Sequence, residues 1–110
     1  MNEYLVVLVT APSESVGQDI ASALLDRRLC ACVNILPSMT SLYVWEGEVC
    51  RDPEVLVLIK TVESHFDALA EVVRELHPYD VPEIIATPIV QGSSDYLGWI
   101  EASTTLEPPD

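Results

Sequence analysis

ACVNILPSMTSLYVWEGEVCRDPEVLVLIKT, residues 31–61, is the stretch that decides the fold, and its pattern is typical of one long β-hairpin. Glu46-Gly47 provides the turn, because glycine supplies without steric cost the positive φ that a tight hairpin turn needs. The arms on either side are rich in Val, Ile, Leu, Tyr, Thr and Trp, which suit a pleated, half-buried surface. At about 3.3 Å per residue the first arm, residues 31–45, extends to about 50 Å, whereas a domain of this length is about 35 Å across. The hairpin therefore overhangs its own domain, and we expect another copy of the chain to cover its apolar face.

Pro37 lies inside the first arm of this hairpin. Proline has no N–H for a sheet hydrogen bond, so it is confined to strand ends, edges and bulges. We expect a bulge that bends the arm rather than a break that ends it. The base of the hairpin then belongs to the sheet of one subunit, and its outer half, past Pro37, belongs to that of the neighbour.

The segment before the hairpin has the pattern of a strand followed by a helix. Residues 4–10, YLVVLVT, form a continuous apolar run that suits an interior strand buried on both faces. A helix follows, with Ser13 or Ser15 as its cap. Arg27 and Arg28 are expected in its last turn, where the helix dipole favours cations.

The segment after the hairpin predicts a second helix, a stiff connector and a further strand. Ser64 and Asp67 cap the helix, and Pro78 terminates it. Residues 77–83, HPYDVPE, form the connector, because each proline fixes its own φ and extends the residue before it. Residues 84–90 form the strand.

Pro88 lies inside that last strand, so we expect it at an edge, a bulge or a strand end. A short third helix then runs to about Ser103, and the tail from about residue 104 is expected to fray. The resulting order, β-α-β-β-α-β-α, is the α+β, ferredoxin-like split βαβ pattern, with a four-stranded antiparallel sheet and two helices on one face. We expect a single domain over residues 1–110.

The charge of the chain is strongly negative: 18 acidic residues against five basic ones give a formal net charge of −13. This balance argues against nucleic acid and against anionic membranes as partners, and it favours cations near the surface. No apolar run approaches about 18 residues, and the N-terminus lacks the features of a signal peptide. We therefore expect a cytoplasmic protein without a membrane span.

Cysteine and histidine are the candidate metal ligands. The three cysteines are Cys30, Cys32 and Cys50, an odd number that predicts free thiols rather than a disulfide framework. Cys30 and Cys32 are two apart, so on a strand they share one face, either as a soft-metal pair or as simple packing. His65 and His77 lie about 18 Å apart on one helix and cannot share a metal within one subunit.

Five bulky polar side chains are candidates for a ligand-binding cleft between subunits. Tyr43 and Trp45 alternate onto one face of the first hairpin arm, and Lys60 is the one lysine of the chain. If strand ends meet helix ends between subunits, these residues line a cleft with Tyr79 and Glu83. The alternative is that the aromatic residues fill the core and the interface. No nucleophile elbow or glycine-rich phosphate loop is present, so we expect no enzyme.

Six motifs carry a resemblance to a known family. They are Thr10-Ala11-Pro12, Cys32-Val33-Asn34-Ile35, Ser41-Leu42-Tyr43-Val44-Trp45-Glu46-Gly47, Leu58-Ile59-Lys60-Thr61, His77-Pro78-Tyr79-Asp80-Val81-Pro82-Glu83 and Asp95-Tyr96-Leu97-Gly98-Trp99. Together they resemble the CutA divalent-cation tolerance proteins, in register over about residues 6–103. The resemblance implies a ferredoxin-like subunit in a tight homotrimer, similar in architecture to the PII signalling proteins.

The same resemblance implies a link to tolerance of copper and other divalent cations, and it carries over no catalytic residue. The positions associated with copper in some family members are Val9, Leu76 and His77 here, so only His77 can be a ligand. We therefore expect a divalent cation to bind weakly, through three copies of His77 or the Cys30 and Cys32 face, and not to be required for folding. The alternatives are a PII-like signalling or small-ligand adaptor, whose intersubunit cleft binds a small anion or metabolite through Lys60 and His77, and a purely structural trimer.

Overall fold

The computed structural model of the protein describes residues 3–105 and has the predicted order of strands and helices. The elements are β1 (Tyr4–Ala11), α1 (Glu14–Asp26), β2 (Cys32–Trp45), β3 (Glu48–Val62), α2 (Phe66–Leu76), β4 (Ile84–Pro88) and α3 (Ser94–Ser103), with a 3-10 turn at Glu63–His65. The strands form one antiparallel sheet in the order β2-β3-β1-β4. Of the predicted tail, Thr104 is buried and caps α3, and residues 106–110 lie outside the described residues.

The core lies between one face of the sheet and the pair α1 and α2. Strand β1 alternates strictly, with Leu5, Val7, Val9 and Ala11 buried and the residues between them only half-buried. The expectation that β1 is buried on both faces is therefore wrong, although the strand is interior. The reason is that α1 and α2 cover a single face, as in other two-layer folds.

The ends of α1 differ in part from the prediction. The cap is Ser13, whose hydroxyl accepts the N–H of Val16 at 3.2 Å, and Ser15 lies inside the helix. The last turn contains no basic residue, because Arg27 is already the C-cap and Arg28 has a positive φ of 56°. The predicted dipole interaction of these arginines inside the last turn is therefore wrong.

The predicted caps of α2 are also wrong. The chain enters this helix through the 3-10 turn Glu63–His65, so the N-cap is His65, and it makes no side-chain capping hydrogen bond. Ser64 lies within that turn, and Asp67 lies in the first turn of the helix. The helix ends at Leu76, directly before His77-Pro78, as the proline predicted.

The hairpin is confirmed, and it gives the molecule its elongated shape. Glu46 and Gly47 have φ values of 52° and 80°, which is the pair of positive angles that a two-residue type I′ turn requires. The molecule measures 51 × 27 × 22 Å, and its radius of gyration is 14.7 Å against about 13 Å for a compact domain of this length. The outer half of the hairpin carries apolar side chains into solvent, with Leu42, Val44 and Val49 all about two-thirds exposed or more.

Pro37 and Pro88 occupy the positions expected of them. The register of β2 against β3 shifts between Leu36 and Met39, so Pro37 and Ser38 form a bulge opposite a single residue of β3. Ser38 has a positive φ of 62° at this bulge. Pro88 is the last residue of β4, an edge strand, so this strand is two residues shorter than predicted.

Candidate functional site

The second face of the sheet is covered at one end only, and a cavity opens at the other. α3 packs over the end where the Tyr4 hydroxyl donates to Glu101 at 2.8 Å. At the opposite end, a cavity of about 650 Å³ lies between the hairpin, the end of β1 and the connector of residues 77–83. It is lined by Thr10, Thr40, Ser41, Leu42, Tyr43, Trp45, Glu54, Tyr79, Asp80, Val81 and Glu83.

Glu54 is the least exposed charged residue that lines this cavity, with 8% of its surface exposed. It lies on β3 opposite Met39, the first residue of β2 that pairs again after the bulge. Its Oε2 accepts the hydroxyl of Tyr79 at 3.1 Å. This hydrogen bond joins the connector to the hairpin across the cavity.

His77 holds the connector in place from the other side. Its Nε2 donates to the carbonyl oxygen of Thr10 at 2.7 Å, since a carbonyl only accepts, and its Nδ1 accepts the N–H of Tyr79 at 3.2 Å. The imidazole is 7% exposed and lies 4.7 Å from the Tyr79 ring, centroid to centroid. His77 thereby fixes the start of the connector on β1 and orients Tyr79 towards Glu54.

The same two hydrogen bonds occupy the ring nitrogens through which His77 would bind a metal. Nε2 carries the proton that it donates, and the lone pair of Nδ1 is used by Tyr79, so neither nitrogen offers a lone pair to a metal in this arrangement. Val9 is fully buried in the core, and Leu76 ends α2. Within residues 3–105, no group of three or more His, Cys, Asp or Glu side chains is arranged to hold a metal ion.

The structure does not bring the cysteines to His77. Cys32 pairs with Lys60, which pairs in turn with Val6, whereas His77 is bound to Thr10, four residues further along β1. That separation is about 13 Å along the strand. Cys30 is 2% exposed, and burial raises the pKa of its thiol to about 12, which disfavours the thiolate that a metal needs.

Tyr43 and Trp45 reach the cavity from the outer half of the hairpin. The hydroxyl of Tyr43 donates to Asp52 on the opposite arm, and this hydrogen bond raises the pKa of Tyr43 to about 12. Burial and the hydrogen bond to Glu54 likewise raise the pKa of Tyr79. The hydroxyl protons of both phenols are committed to carboxylates.

Four of the five residues predicted for a cleft line this cavity, namely Tyr43, Trp45, Tyr79 and Glu83. Lys60 does not line it. Its ammonium group donates to the Asn34 side chain, near the end of the sheet that α3 covers. The cavity therefore lacks the cation that the sequence suggested.

Sequence reasoning did not identify Glu54, Thr10 or Asp80 as cavity residues. Asp80 lies in the connector between two predicted residues, so its neighbours were a usable signal. Glu54 opens an apolar strand run, which gives no sign of its burial, because that burial depends on the shifted register after Pro37. Thr10 lines the cavity and accepts the hydrogen bond of His77 through its backbone carbonyl, and no sequence pattern marks it.

Comparison with known proteins identifies the family. The model of the CutA1 divalent ion tolerance protein family matches residues 5–103. This chain belongs to the CutA family. It is 54% identical over 99 residues to the divalent-cation tolerance protein CutA of Thermus thermophilus, covering 90% of this chain and 96% of that protein.

Solved CutA structures have the same fold. The divalent cation tolerance protein of Thermus thermophilus superimposes with a TM-score of 0.91 at 52% identity, over 93% of this chain and 99% of that one. CutA1 of Oryza sativa gives a TM-score of 0.91 at 47% identity, over 96% of both chains. Among residues 3–105, no helix is long and apolar enough to cross a membrane.

Proposed function

We propose that this CutA-family protein is a cytoplasmic homotrimer that binds a small ligand in the cavity between its hairpin and its connector. The observation that carries this proposal is the cavity itself. Its volume of about 650 Å³ is in the range of small-molecule sites, and its lining combines aromatic, hydroxyl and carboxylate side chains. Its role is that of a PII-like signalling or adaptor module, without catalysis of its own.

The trimer is supported by the surface that one subunit leaves uncovered. The outer half of the hairpin exposes Leu42, Val44 and Val49, and the second face of the sheet is covered by α3 at one end only. An apolar surface of this kind marks a site of association. Light scattering of the protein in dilute buffer should give about three times the 12.1 kDa mass of the chain, and a monomer would overturn the assembly.

The ligand site is tested by a thermal-shift screen of metabolites on the wild type and on Trp45→Ala. A ligand that binds the folded state at 100 times its Kd stabilises it by about 2.7 kcal/mol, which is a readily measured increase in Tm. We expect at least one such increase in the wild type and its loss in Trp45→Ala, with Trp99→Phe unchanged. A screen without any saturable shift would refute the proposal.

A second candidate function is weak binding of divalent cations, copper among them. It is supported by the names of the relatives and by the strongly acidic balance of the chain, with a formal net charge of −13. The candidate ligands remain His77, Cys30 and Cys32, although copper must displace a hydrogen bond to reach His77. Calorimetric titration of the metal-free trimer with Cu(II) and Cu(I) should show sites that His77→Ala or Cys30→Ala/Cys32→Ala removes. The absence of saturable binding in the wild type would dismiss this candidate.

A further inference from the structure

Glu54 is a buried carboxylate with few partners. It is 8% exposed, and within residues 3–105 its one hydrogen-bond donor is the hydroxyl of Tyr79, on Oε2. Glutamate is seldom buried without a cationic partner, because removing a carboxylate from water is costly unless the charge is paired. Since Glu54 lines the cavity, a positive charge placed there would complete its interactions.

The rest of the lining has the same sign. Asp80 and Glu83 are the other charged lining residues, and across the described part of the chain the lining contains no Lys, Arg or His. Asp52, on the opposite arm of the hairpin, accepts the hydroxyl of Tyr43 and adds a further carboxylate beside the lining. The negative electrostatic potential of these carboxylates repels an anion and attracts a cation, and the net charge of −13 has the same effect.

The aromatic side chains favour an organic cation. Tyr43, Trp45 and Tyr79 all line the cavity, and tryptophan is the best aromatic partner for a cation near its ring face. The carboxylates, in contrast, do not form a group suited to chelating a metal within the described residues. A cavity of about 650 Å³ also exceeds what a bare ion needs.

We infer that the cavity binds a small organic cation, such as a quaternary ammonium, amine or guanidinium compound, with Glu54 as its ion-pair partner and the three aromatic rings around it. This inference rests on the proposed ligand site and adds the chemical class of the ligand. In this arrangement the buried Glu54 contacts the cation directly, and the exposed Asp80 and Glu83 lie at the rim of the cavity.

The test uses the intact protein with Trp99→Phe, which leaves Trp45 as the one tryptophan and hence as the fluorescent reporter. The probes are choline, spermidine and agmatine, together with 3,3-dimethyl-1-butanol, the uncharged isostere of choline, and the anions citrate and ATP. We expect saturable binding of at least one of the three cations and no binding of the anions. If choline binds, the uncharged isostere should bind at least about tenfold more weakly than choline.

The decisive variant is Glu54→Gln, which keeps the size of the side chain and removes its charge. It should weaken binding of the cation about tenfold or more. The matched control is Glu71→Gln, an exposed position on α2, which should leave binding unchanged. If Glu54→Gln does not fold, the double variant Asp80→Asn/Glu83→Gln at the rim should give a smaller loss that vanishes at high salt.

Three results would overturn the inference. Binding of an anion but of no cation, lost in Trp45→Ala, would leave the ligand site standing and refute its chemical class. Binding of a cation that Glu54→Gln leaves unchanged would refute the role of the carboxylate. Conversion of the trimer to a monomer by Glu54→Gln would show that a neighbouring chain, and not a ligand, occupies the cavity.

Discussion

Replacement of His77 distinguishes a residue that positions the connector from one that binds metal. His77→Ala removes two hydrogen bonds, to the Thr10 carbonyl at 2.7 Å and from the Tyr79 N–H at 3.2 Å. Each contributes about 1 kcal/mol, and the carbonyl left without its donor adds a desolvation cost of similar size. The free energy of unfolding should therefore fall by about 2–4 kcal/mol per chain. Ligand binding in the cavity should also weaken, because Tyr79 is no longer oriented.

The measurement is urea unfolding followed by circular dichroism, at one protein concentration, because the proposed trimer would dissociate on unfolding. Two control variants separate the hydrogen bonds. His77→Gln retains an amide N–H for Thr10, and His77→Asn retains an acceptor for Tyr79, so each should lose about half as much stability as His77→Ala. The reasoning is refuted if His77→Ala unfolds at the wild-type urea concentration and instead abolishes copper binding.

Three further perturbations test the fold and its titrating groups. Gly47→Ala should lower the free energy of unfolding by about 1 kcal/mol, because an alanine is strained at a φ of 80° even though its Cβ would contact no neighbour. Gly98→Ala, inside α3, should raise it by a similar amount, because alanine favours the helix and its Cβ also meets open space. Equal effects of the two variants in urea unfolding would contradict this. Cys30, with its pKa raised to about 12 by burial, should be the last of the three cysteines to be alkylated by iodoacetamide at pH 8, as followed by mass spectrometry, and early modification would be inconsistent with its burial. The hydrogen bond to Asp52 raises the pKa of Tyr43 to about 12 from about 10 in the unfolded chain, so its stabilisation is complete below about pH 10 and is lost as the pH rises through about 12. Tyr43→Phe should remove that loss in an alkaline unfolding series, and an unchanged pH profile would refute the assignment.

Local signals in the sequence were sufficient for the hairpin and its irregularities. Glu46-Gly47 predicted the turn, because glycine readily adopts the positive φ that a type I′ turn requires, and both residues have a positive φ in the structure. The bulge at Pro37 follows from the missing N–H of proline. Such features depend on a few adjacent residues, so sequence reasoning finds them.

The features of the site that sequence reasoning missed depend on distant contacts. His77 donates to the carbonyl oxygen of Thr10, 67 residues earlier in the chain, so its part in positioning the connector could not be read from the local sequence. The burial of Glu54 requires the register shift and the return of the connector above it. Lys60 was expected in a cleft between subunits because it is the one lysine and ends an apolar strand, and within one chain it lies towards the end of the sheet that α3 covers.

The central claim is that the cavity beside Glu54 is a ligand site in the assembled protein. The most direct measurement is a crystal structure of the protein grown with agmatine. The account predicts a trimer with agmatine in each cavity and a positively charged nitrogen at about 2.7–3.2 Å from the Glu54 carboxylate. Side chains of a neighbouring subunit filling the cavity, with agmatine absent, would contradict it.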